Sequence, residues 1–576
     1  DSYSVLPRHE IARVSELLQS QLLQPLNMTP IQPRLAESNL SLIGAGGPGA
    51  LSFNEFNPIF NRDGVTFQAS ALGGENGTYS GEGVFAGIYK KMSFSLGGFH
   101  VQSDGFQRLH QTLNASNTDQ RDTIANAFVQ LELSPATSIQ TEYRYRNRQN
   151  GDVELRFFPA DFRANYQEKE DLNSIRVGAR HAFSPDSVVL GSFIYQHRDT
   201  SAVDRPIGSF VTLIDEKFPN QRSLSGEVQH LFRSKNVNLV SGAGYFDVNA
   251  KRNQQIEFDP LFGIPPSQTV SSENVQHTNL YLYSYINIFK NVTLTAGASG
   301  DLFHTDSPTN ESRNQFNPKF GVTWNPFTNT TLRAAAFRVL KRTLITDQTL
   351  EPTQVAGFNQ FYDDINSTES WRYGGAIDQK LTETIFGGVE VSWRDINFPF
   401  EFIDPITGLS TVQRGDGREH LARTYLFWTP HPWVALSGEY QRERSTFQNE
   451  ALVATDFKRL TTQRVPLGLR FFHPSGLSAV IKTTYNHQDG DFIPRGLFCC
   501  FSGRDNFWTL DAGISYRLPQ RYGFVSVGAT NLTDKKFKYF DTDRGAAHRN
   551  PRITPDRMIF AESRWHYPRD RRVKCR

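Results

Sequence analysis

The chain has 576 residues, and its 61 Lys and Arg residues nearly balance 59 Asp and Glu residues, for a formal net charge of +2. This balance gives no support for nucleic-acid binding, which requires a basic surface. The mean hydropathy is −0.48, and no stretch approaches the ~18–20 apolar residues of a spanning helix. A helical membrane protein is therefore not expected. Barrel strands need only ~9–11 residues, of which alternate ones face lipid, so they remain compatible with this composition.

Residues 1–63 form an N-terminal segment that precedes the first predicted strand. Apolar residues recur there at helical spacing, at Ile11, Val14, Leu18 and Leu22. This pattern predicts an amphipathic helix from about His9 to Leu23, ended by Pro25. A linker from Asn27 to Asn61 follows. We expect the segment to lie in a lumen or in the periplasm, and packing for stability and a gating role both remain open for the helix. Asp1 is interpreted as a processed or trimmed end, because an exported barrel needs a signal peptide.

Apolar and polar residues alternate from about Gly64 onward. One such stretch sets Val292, Leu294, Ala296 and Ala298 against Thr293, Thr295, Gly297 and Ser299, and another sets Ile139, Thr141, Tyr143 and Tyr145 against Gln140, Glu142, Arg144 and Arg146. A period of two over about seven residues or more indicates strands. Phe128 is an exception in its own stretch. The polar set is often charged, which favours a wet lumen over the dry core of a β-sandwich.

Ten short polar turns recur along the chain, and longer loops lie between them. The turns are Tyr89–Ser93, Ser134–Ser138, Ser184–Ser187, Ser234–Val237, Phe289–Thr293, Asn325–Thr331, Leu381–Thr384, Thr429–Trp433, His473–Gly476 and Leu518–Gly523. Ten hairpins, with one further strand at each end, predict an all-β fold: a transmembrane antiparallel β-barrel of about 22 strands with a short N-terminal helical and linker segment. A soluble sandwich or propeller is the alternative, but strands this long are unusual there.

The predicted barrel extends over residues 64–567, and residues 568–576 are interpreted as a basic C-terminal tail. Bacterial barrels usually end at an aromatic residue, such as Tyr567 here, so the tail is unusual. A disordered tail is the simplest interpretation.

The longer loops are candidate binding regions, since binding residues often lie on loops. An aromatic stretch includes Phe398, Phe400 and Phe402, and these residues together with Trp371 are the candidate outer-loop binding residues. A loop that packs its own small core is the alternative for this stretch.

No catalytic constellation occurs, so we expect neither an enzyme nor a cofactor. The acidic groups Asp363–Asp364 and Glu168/Glu170/Asp171 could bind Ca²⁺ or could be solvated loop acids, and the presence of a metal site stays open. Cys499 and Cys500 are adjacent, and both a vicinal disulfide and two unpaired thiols remain possible. Cys575 lies in the tail.

The segment from Gly528 to Phe537, GATNLTDKKF, resembles the penultimate-strand signature of TonB-dependent receptor barrels. Asn317–Gly321, followed by Trp324–Pro326 and Thr331–Ala334, resembles the mid-barrel pattern of the same family. The resemblance extends roughly from Gly64 to Tyr567. It implies a bacterial outer-membrane protein that takes up iron chelates, cobalamin or sugars with the TonB complex.

The plug domain of that family is not recognisable before the first predicted strand, nor is a TonB box. Three further stretches, Asn54–Phe60, Phe99–Phe106 and Leu350–Phe361, resemble a plugless offshoot in which the barrel follows tetratricopeptide-type helical repeats in a longer chain. This resemblance implies a channel that works with periplasmic partners.

Three functions follow as hypotheses. The first is an outer-membrane channel without a standard plug, which works with a periplasmic protein partner. The second is a TonB-dependent uptake receptor whose plug is absent from this chain, and the third is a docking barrel of an export or electron-transfer assembly. A bare barrel of about 22 strands would leak, so we expect residues before Gly64 to enter the lumen or to cap its periplasmic mouth.

Overall fold

The computed structural model describes residues 18–30, 63–106, 117–158, 161–206, 211–307, 311–360, 364–403, 410–448, 456–493, 500–542 and 553–569. Residues 18–23 are helical, so the predicted helix ends at Leu23, ahead of Pro25, as expected. Its predicted first part, residues 9–17, lies outside the described residues, as does most of the predicted linker. In the described part of the chain, no helix has the length and apolar character needed to cross a membrane.

Almost all other regular structure consists of β-strands. They are β1 (Gly64–Gly74), β2 (Tyr79–Tyr89), β3 (Met92–Ser103), β4 (Gln120–Ser134), β5 (Thr137–Asn150), β6 (Gln167–Ser184), β7 (Ser187–Asp204), β8 (Val211–Arg233), β9 (Val237–Asn249), β10 (Lys251–Phe258), β11 (Ser267–Ser272), β12 (Val275–Phe289), β13 (Val292–Thr305), β14 (Arg313–Phe327), β15 (Thr330–Leu340), β16 (Gln354–Val355), β17 (Phe358–Asn359), β18 (Glu369–Lys380), β19 (Ile385–Ile403), β20 (Ser410–His431), β21 (Val434–Phe447), β22 (Phe457–Phe472), β23 (Leu477–Phe492), β24 (Phe501–Arg517), β25 (Gly523–Thr530) and β26 (Met558–Arg569). Short 3₁₀ turns lie at Pro260–Phe262, Ile345–Asp347 and Pro519–Arg521.

Twenty-two of these strands form one closed antiparallel barrel, which confirms the predicted fold class. Each of the 22 barrel strands pairs with the barrel strands before and after it, and β1 closes the ring against β26 from Val65↔Arg569 to Gly74↔Phe560. All ten predicted short turns lie at strand connections. The first hairpin turns at Asn76 and Gly77, which both have positive φ, as a tight type I′ turn requires. The last strand ends two residues beyond Tyr567, and residues 570–576 lie outside the described residues.

Several strands continue into segments that the sequence predicts as long loops, such as Asp199–Gln221 and Arg252–Val275. β8 already begins at Val211, and β10 pairs with its first half and with β11, so this hairpin extends the sheet beyond the ring. β9 pairs directly with β12, which keeps β10 and β11 out of the ring itself. The loop prediction is wrong here because the first five residues of β10, KRNQQ, are polar on both faces, and only Ile256 and Phe258 are apolar. Above the membrane neither face must be apolar, so the alternation that indicates a strand is absent.

The two faces of the wall have the predicted chemistry. Leu294 and Leu302 on β13 are exposed on the outside, while Thr295, Ser299 and Asp301 are buried toward the lumen. Outward-facing aromatic residues include Phe67, Trp324 and Trp508. Phe128, the exception to the alternation, is fully buried on the lumenal face. The outer face is thus apolar and aromatic, as a lipid-facing surface requires, and the lumen is polar.

The sequence GATNLTDKKF has a structural role at the end of β25. The Asn531 side chain donates to the carbonyls of Lys535 (3.0 Å) and Thr554 (3.3 Å) and accepts from the Lys535 amide (2.9 Å). Asp534 accepts from the Arg557 amide at 2.9 Å. These bonds hold both ends of the last long loop together, just before the strand that closes the barrel.

Candidate functional site: the occupied lumen

The described part of the N-terminal segment, residues 18–30, lies inside the barrel beside strands β4 to β8. Leu18 and Leu22 are fully buried and pack with Leu190 of β7 and Leu231 of β8. These strand residues lie near the short turns, which mark the periplasmic end of an outer-membrane barrel. The segment therefore occupies the periplasmic half of the lumen, on one side of the wall.

Glutamine side chains and main-chain carbonyls supply the polar contacts of this segment. Gln130 and Gln140 donate to the carbonyls of Gln24 (3.0 Å) and Gln21 (2.6 Å). Gln19 donates to Gln229 of β8 at 2.8 Å. The contacts are neutral on both sides, except that Gln21 also donates to Glu142 at 3.3 Å.

Gly178 of β6 makes room for the helix. A Cβ atom at this position would lie 2.4 Å from a methyl carbon of Leu22. The wall is therefore shaped to receive this leucine, because any other residue at position 178 would have to displace it.

The connection between β15 and β18, which we call the lumen loop, also folds into the barrel. The structure describes its residues 341–360 and 364–368. Its small hairpin, β16 and β17, packs Val355 and Phe358 against Tyr283 and Phe337 of the wall. The stretch Leu350–Phe361 is one of those that resemble a plugless group of barrels. Its described residues, up to Gln360, lie in the lumen.

Buried polar contacts anchor the lumen loop. Arg342 and Glu351 form a 2.7 Å ion pair in which both side chains are nearly inaccessible, and Tyr283 donates to Glu351 at 2.6 Å. Glu227 of β8 accepts from the Thr349 hydroxyl (2.8 Å) and the Leu350 amide (3.0 Å). Each carboxylate is therefore matched by donors, which is the condition for burying a charge without a large penalty.

Residues of the wall strands complete the seat of the hairpin. Lys319 donates to the Gln360 side chain at 2.8 Å, and Arg372 donates to the Asn359 carbonyl at 2.5 Å. A Cβ atom on Gly374 would lie 2.4 Å from the Phe358 ring, and one on Gly321 would lie 2.8 Å from Ala356. Lys319 and Gly321 belong to the mid-barrel stretch Asn317–Gly321, so part of that stretch holds the lumen loop.

The N-terminal segment and the lumen loop meet at Gln229. Its carboxamide oxygen accepts from Gln19, and its amide group donates to the Leu350 carbonyl and to the Tyr281 hydroxyl at 3.2 Å. Leu350 also belongs to the leucine cluster of Leu18 and Leu22. The two elements thus form one body of lumenal material.

The predicted binding residues are divided between two faces. Phe398, Phe400 and Phe402 lie on β19 and not in a loop, because this strand continues to Ile403. Phe398 and Phe400 are buried on the lumenal face near the outer mouth, and Phe402 packs against their cluster. The cluster draws on several wall strands and loops and is not the core of a single loop. Trp371 lies on β18 and stacks on Tyr373 with 6.0 Å between ring centroids. Its neighbour Arg372 faces the lumen, so Trp371 faces outward.

The aromatic cluster at the outer mouth joins wall strands to long loops. Phe157 stacks on Phe492 at 4.3 Å, and the backbone of Phe540 pairs with the Gln488 side chain at 2.7 and 2.9 Å. Since Phe157 follows β5 and Phe492 ends β23, the loop that carries Phe157 crosses from one side of the mouth to the other. A binding role for Phe398, Phe400, Phe402 or Trp371 stays a prediction.

Most of the acidic residues considered above for Ca²⁺ binding form ion pairs with arginine side chains. Asp364 pairs with Arg394 (2.6 Å), Glu168 pairs with Arg148 (2.6 Å), and Glu170 pairs with Arg198. Asp363 lies outside the described residues. Among the residues that the structure describes, no group of three or more His, Cys, Asp or Glu side chains could hold a metal ion. Cys500 is a free thiol, and Cys499 and Cys575 lie outside the described ranges.

Sequence reasoning missed most residues that hold the lumenal material, including Gln229, Glu227, Arg342 and Lys319. A signal was present for Lys319, which is a cation in the middle of a membrane strand. No comparable signal marks Gln229, because a polar residue facing the lumen is expected at every second position.

Comparisons with known proteins agree with this architecture. The family model described as TonB dependent receptor-like, beta-barrel, matches residues 93–532, which is more than half of the chain. A comparison with curated proteins found no match.

Similar solved structures include the copper transporter OprC, with 13% identity over 88% of this chain and 81% of that chain and a TM-score of 0.65. The FrpB iron transporter from Neisseria meningitidis (F3-3 variant) shows 10% identity over 88% and 82%, with a TM-score of 0.65. The ferripyoverdine receptor of the outer membrane of Pseudomonas aeruginosa shows 11% identity over 88% and 72%, with a TM-score of 0.62. At these identities the likeness shows the fold. The chain belongs to the TonB-dependent receptor-like β-barrel family of the Gram-negative outer membrane.

Proposed function

We propose that the protein is a gated outer-membrane channel, in which the N-terminal segment and the lumen loop take the place of a standard plug domain. The observation that carries the proposal is Gln229, whose side chain binds both elements at once. A wide barrel needs lumenal material to prevent leakage. Because one side chain binds both the N-terminal segment and the lumen loop, loss of either hydrogen bond at Gln229 would separate the two elements.

The N-terminal segment has the properties of a movable element. Residues 18–30 contain no charged side chain. Neutral hydrogen bonds of about 0.5–1.5 kcal/mol each hold them, together with one bond from Gln21 to the Glu142 carboxylate, for which about 1.5–3 kcal/mol is typical. Burial of Leu18 and Leu22 adds about 1.5–3 kcal/mol each. A partner of moderate affinity could therefore displace this segment from the wall.

The lumen loop is anchored more firmly. Removing one member of the buried pair of Arg342 and Glu351 would leave an uncompensated charge, which typically costs about 3–5 kcal/mol. We therefore assign the mobile role to the N-terminal segment and the supporting role to the lumen loop. Because the segment lies near the periplasmic end, we infer that a periplasmic protein partner acts on it.

A TonB-driven uptake receptor is the second candidate. Family membership favours it, and so do the solved structures of a copper transporter, an iron transporter and a ferripyoverdine receptor with the same fold. Uptake that requires an energised inner membrane would support this candidate over a passive channel.

Single-channel recording in planar bilayers tests the proposed gate. We expect deletion of residues 1–30 to raise the conductance or the open probability. Gly178→Val should do the same, because the new side chain would occupy the position of Leu22. Gly191→Val is the matched control, since a Cβ atom there meets nothing within 4 Å.

Equal conductance of the wild-type protein and both lumenal variants would contradict the channel proposal. Correct folding of each variant is checked by the heat-modifiable migration of the barrel on gels. A folded deletion variant that leaves conductance unchanged would show that residues 1–30 do not gate the lumen.

A further inference from the structure

Three cations line one sector of the lumen on β22 and β23. Arg464 and Arg470 lie on the lumenal face of β22, because each is an even number of residues from Thr462, which is buried on that face. Leu467 and Leu469 lie on the opposite face and are exposed on the outside. Lys482 lies on the same face of β23, directly opposite Gly468. The three side chains thus form a column along the lower half of the wall, toward the short turn at His473–Gly476.

None of the three forms an ion pair or a side-chain hydrogen bond with a described residue. Several other lumenal arginines are matched by carboxylates, as in Arg146 with Asp122 at 2.6 Å and Arg176 with Glu142 at 3.2 Å. An unpaired cation is tolerated only where water or mobile anions can solvate it. The column is therefore a sector with uncompensated positive charge.

Two carboxylates lie within electrostatic reach of Lys482, and both have other partners. Asp511 lies opposite Lys482 in the sheet, and it accepts a 2.9 Å hydrogen bond from the Asn531 amide. Glu439 accepts from Arg423 at 3.0 and 3.2 Å. Counting Arg423, four cations surround two carboxylates, which leaves a net positive charge.

The three cations are spaced along the wall as in a permeation pathway, and they do not surround a closed pocket. At about 3.3 Å per residue, Arg464 and Arg470 are separated by roughly 20 Å along the strand, and Lys482 lies between them. Pro466 and Gly468 face the lumen between the two arginines; Pro466 has a short ring and Gly468 has no side chain. An anion that passes along this sector would meet one cation after another.

We propose that Arg464, Lys482 and Arg470 form an anion track, which selects small solutes that carry carboxylate or phosphate groups. The inference deepens the proposed channel function by naming the substrate class. The attraction acts only on solutes near the three side chains. In water, each positive charge attracts an anion about 10 Å away by a few tenths of a kcal/mol, and the attraction is stronger at low salt.

Thiol labelling measures this local potential without any need for conduction. In a background in which Cys499, Cys500 and Cys575 are replaced by Ser, Ser437→Cys places a thiol beside Gly468, opposite Lys482. The probes are methanethiosulfonates with a sulfonate or a trimethylammonium group, used on the detergent-solubilised full chain. We compare the labelling rates of the two reagents and normalise their ratio to that of a small thiol in solution. We expect this ratio to favour the sulfonate reagent about fivefold in ~0.1 M salt.

The triple variant R464Q/R470Q/K482Q should reduce this preference to about one, and K482Q should give an intermediate value. Arg180→Gln is the matched control, because it removes a lumenal charge from β6 on another part of the wall. A parent preference near one, or an equal loss in Arg180→Gln and K482Q, would overturn the anion track.

Reversal potentials in a KCl gradient then test whether the track acts in transport. The wild type should favour chloride, and the triple variant should lose this preference. A protein that does not conduct would contradict the channel proposal, while the labelling ratio would still decide the anion track.

Discussion

Gln19 of the N-terminal segment donates a 2.8 Å hydrogen bond to Gln229 of the barrel wall. The same Gln229 side chain donates to the carbonyl of Leu350 in the lumen loop. Gln229 therefore connects a segment that precedes the barrel in sequence with a loop that lies more than a hundred residues after Gln229.

Replacing Gln229 by Leu should release the N-terminal segment. The change removes these two hydrogen bonds and the one to the Tyr281 hydroxyl. It leaves the Leu350 carbonyl without this donor, so we expect a loss of about 1–3 kcal/mol in the stability of the lumenal assembly. Single-channel recording should show a higher open probability, and protease cleavage of the N-terminal segment should become faster. Gln196→Leu, on the lumenal face of β7, serves as the control. Equal protease resistance of Gln229→Leu and the wild type would contradict the bridging role.

Two adjacent glycines on β18 give a matched test of the lumen loop. Gly374→Val should displace Phe358, because a Cβ atom there would lie 2.4 Å from its ring. Gly375→Val should be tolerated, since the same atom at that position meets nothing within 4 Å. The measurements are protease cleavage within residues 341–360 and channel conductance, both of which should rise only for Gly374→Val. Similar behaviour of the two variants would show that the hairpin does not depend on this seat.

The ion pair of Arg342 and Glu351 should respond differently to single and double substitution. Glu351→Met alone leaves a buried guanidinium without its carboxylate, with an expected cost of about 3–5 kcal/mol to the seating of the loop. The double variant R342M/E351M removes both charges and should recover much of this loss. Hydrogen exchange of loop amides measures the seating. A double variant that exchanges faster than Glu351→Met would contradict the expectation.

The barrel seam should loosen at acid pH. Glu75, in the first hairpin turn, accepts from Arg557 at 3.1 Å and from the Ile559 amide at 3.0 Å. The Arg557 hydrogen bond lowers the pKa of Glu75 below its ordinary value of 4.5. A folded-state pKa below the unfolded value means that the stabilisation is present above the unfolded pKa and is lost as the pH falls through the folded pKa.

Hydrogen exchange at Ile559 measures this effect. After correction for the intrinsic pH dependence of exchange, protection should decrease as the pH falls below about 4.5. Glu75→Gln should show lower protection that no longer changes over this range. A pH-independent protection in the wild type would exclude Glu75 as the titrating group. The contribution is small because both side chains are largely exposed.

Much of the fold could be predicted from local patterns. Alternation along β13 and β5 separates lipid-facing from lumen-facing residues, since a strand places successive side chains on opposite faces. The ten short turns carry their own chemistry, and together they predict the strand number. The extension of β8 and the β10–β11 hairpin could not be predicted, because residues outside the bilayer are under no demand for an apolar face.

The candidate site was less accessible to sequence reasoning. Phe398 and Phe400 were recognised as unusual, but their burial in an aromatic cluster depends on Phe157 and Phe540 from distant loops. Gln229, Glu227 and Arg342 look like ordinary lumenal residues in the sequence. Their importance arises from what lies opposite them across the lumen.

The amino-acid sequence by itself determined the barrel, its strand number and the face that meets lipid, because these depend on periodicity within each strand and on turns between neighbours. The tertiary structure decided which residues fill the lumen and which residues of the wall hold them. Leu22 meets Gly178, and Leu350 meets Gln229, across long separations in the chain. Such contacts depend on the closure of the ring, which brings all lumenal faces together and leaves no trace in the local pattern of any one strand.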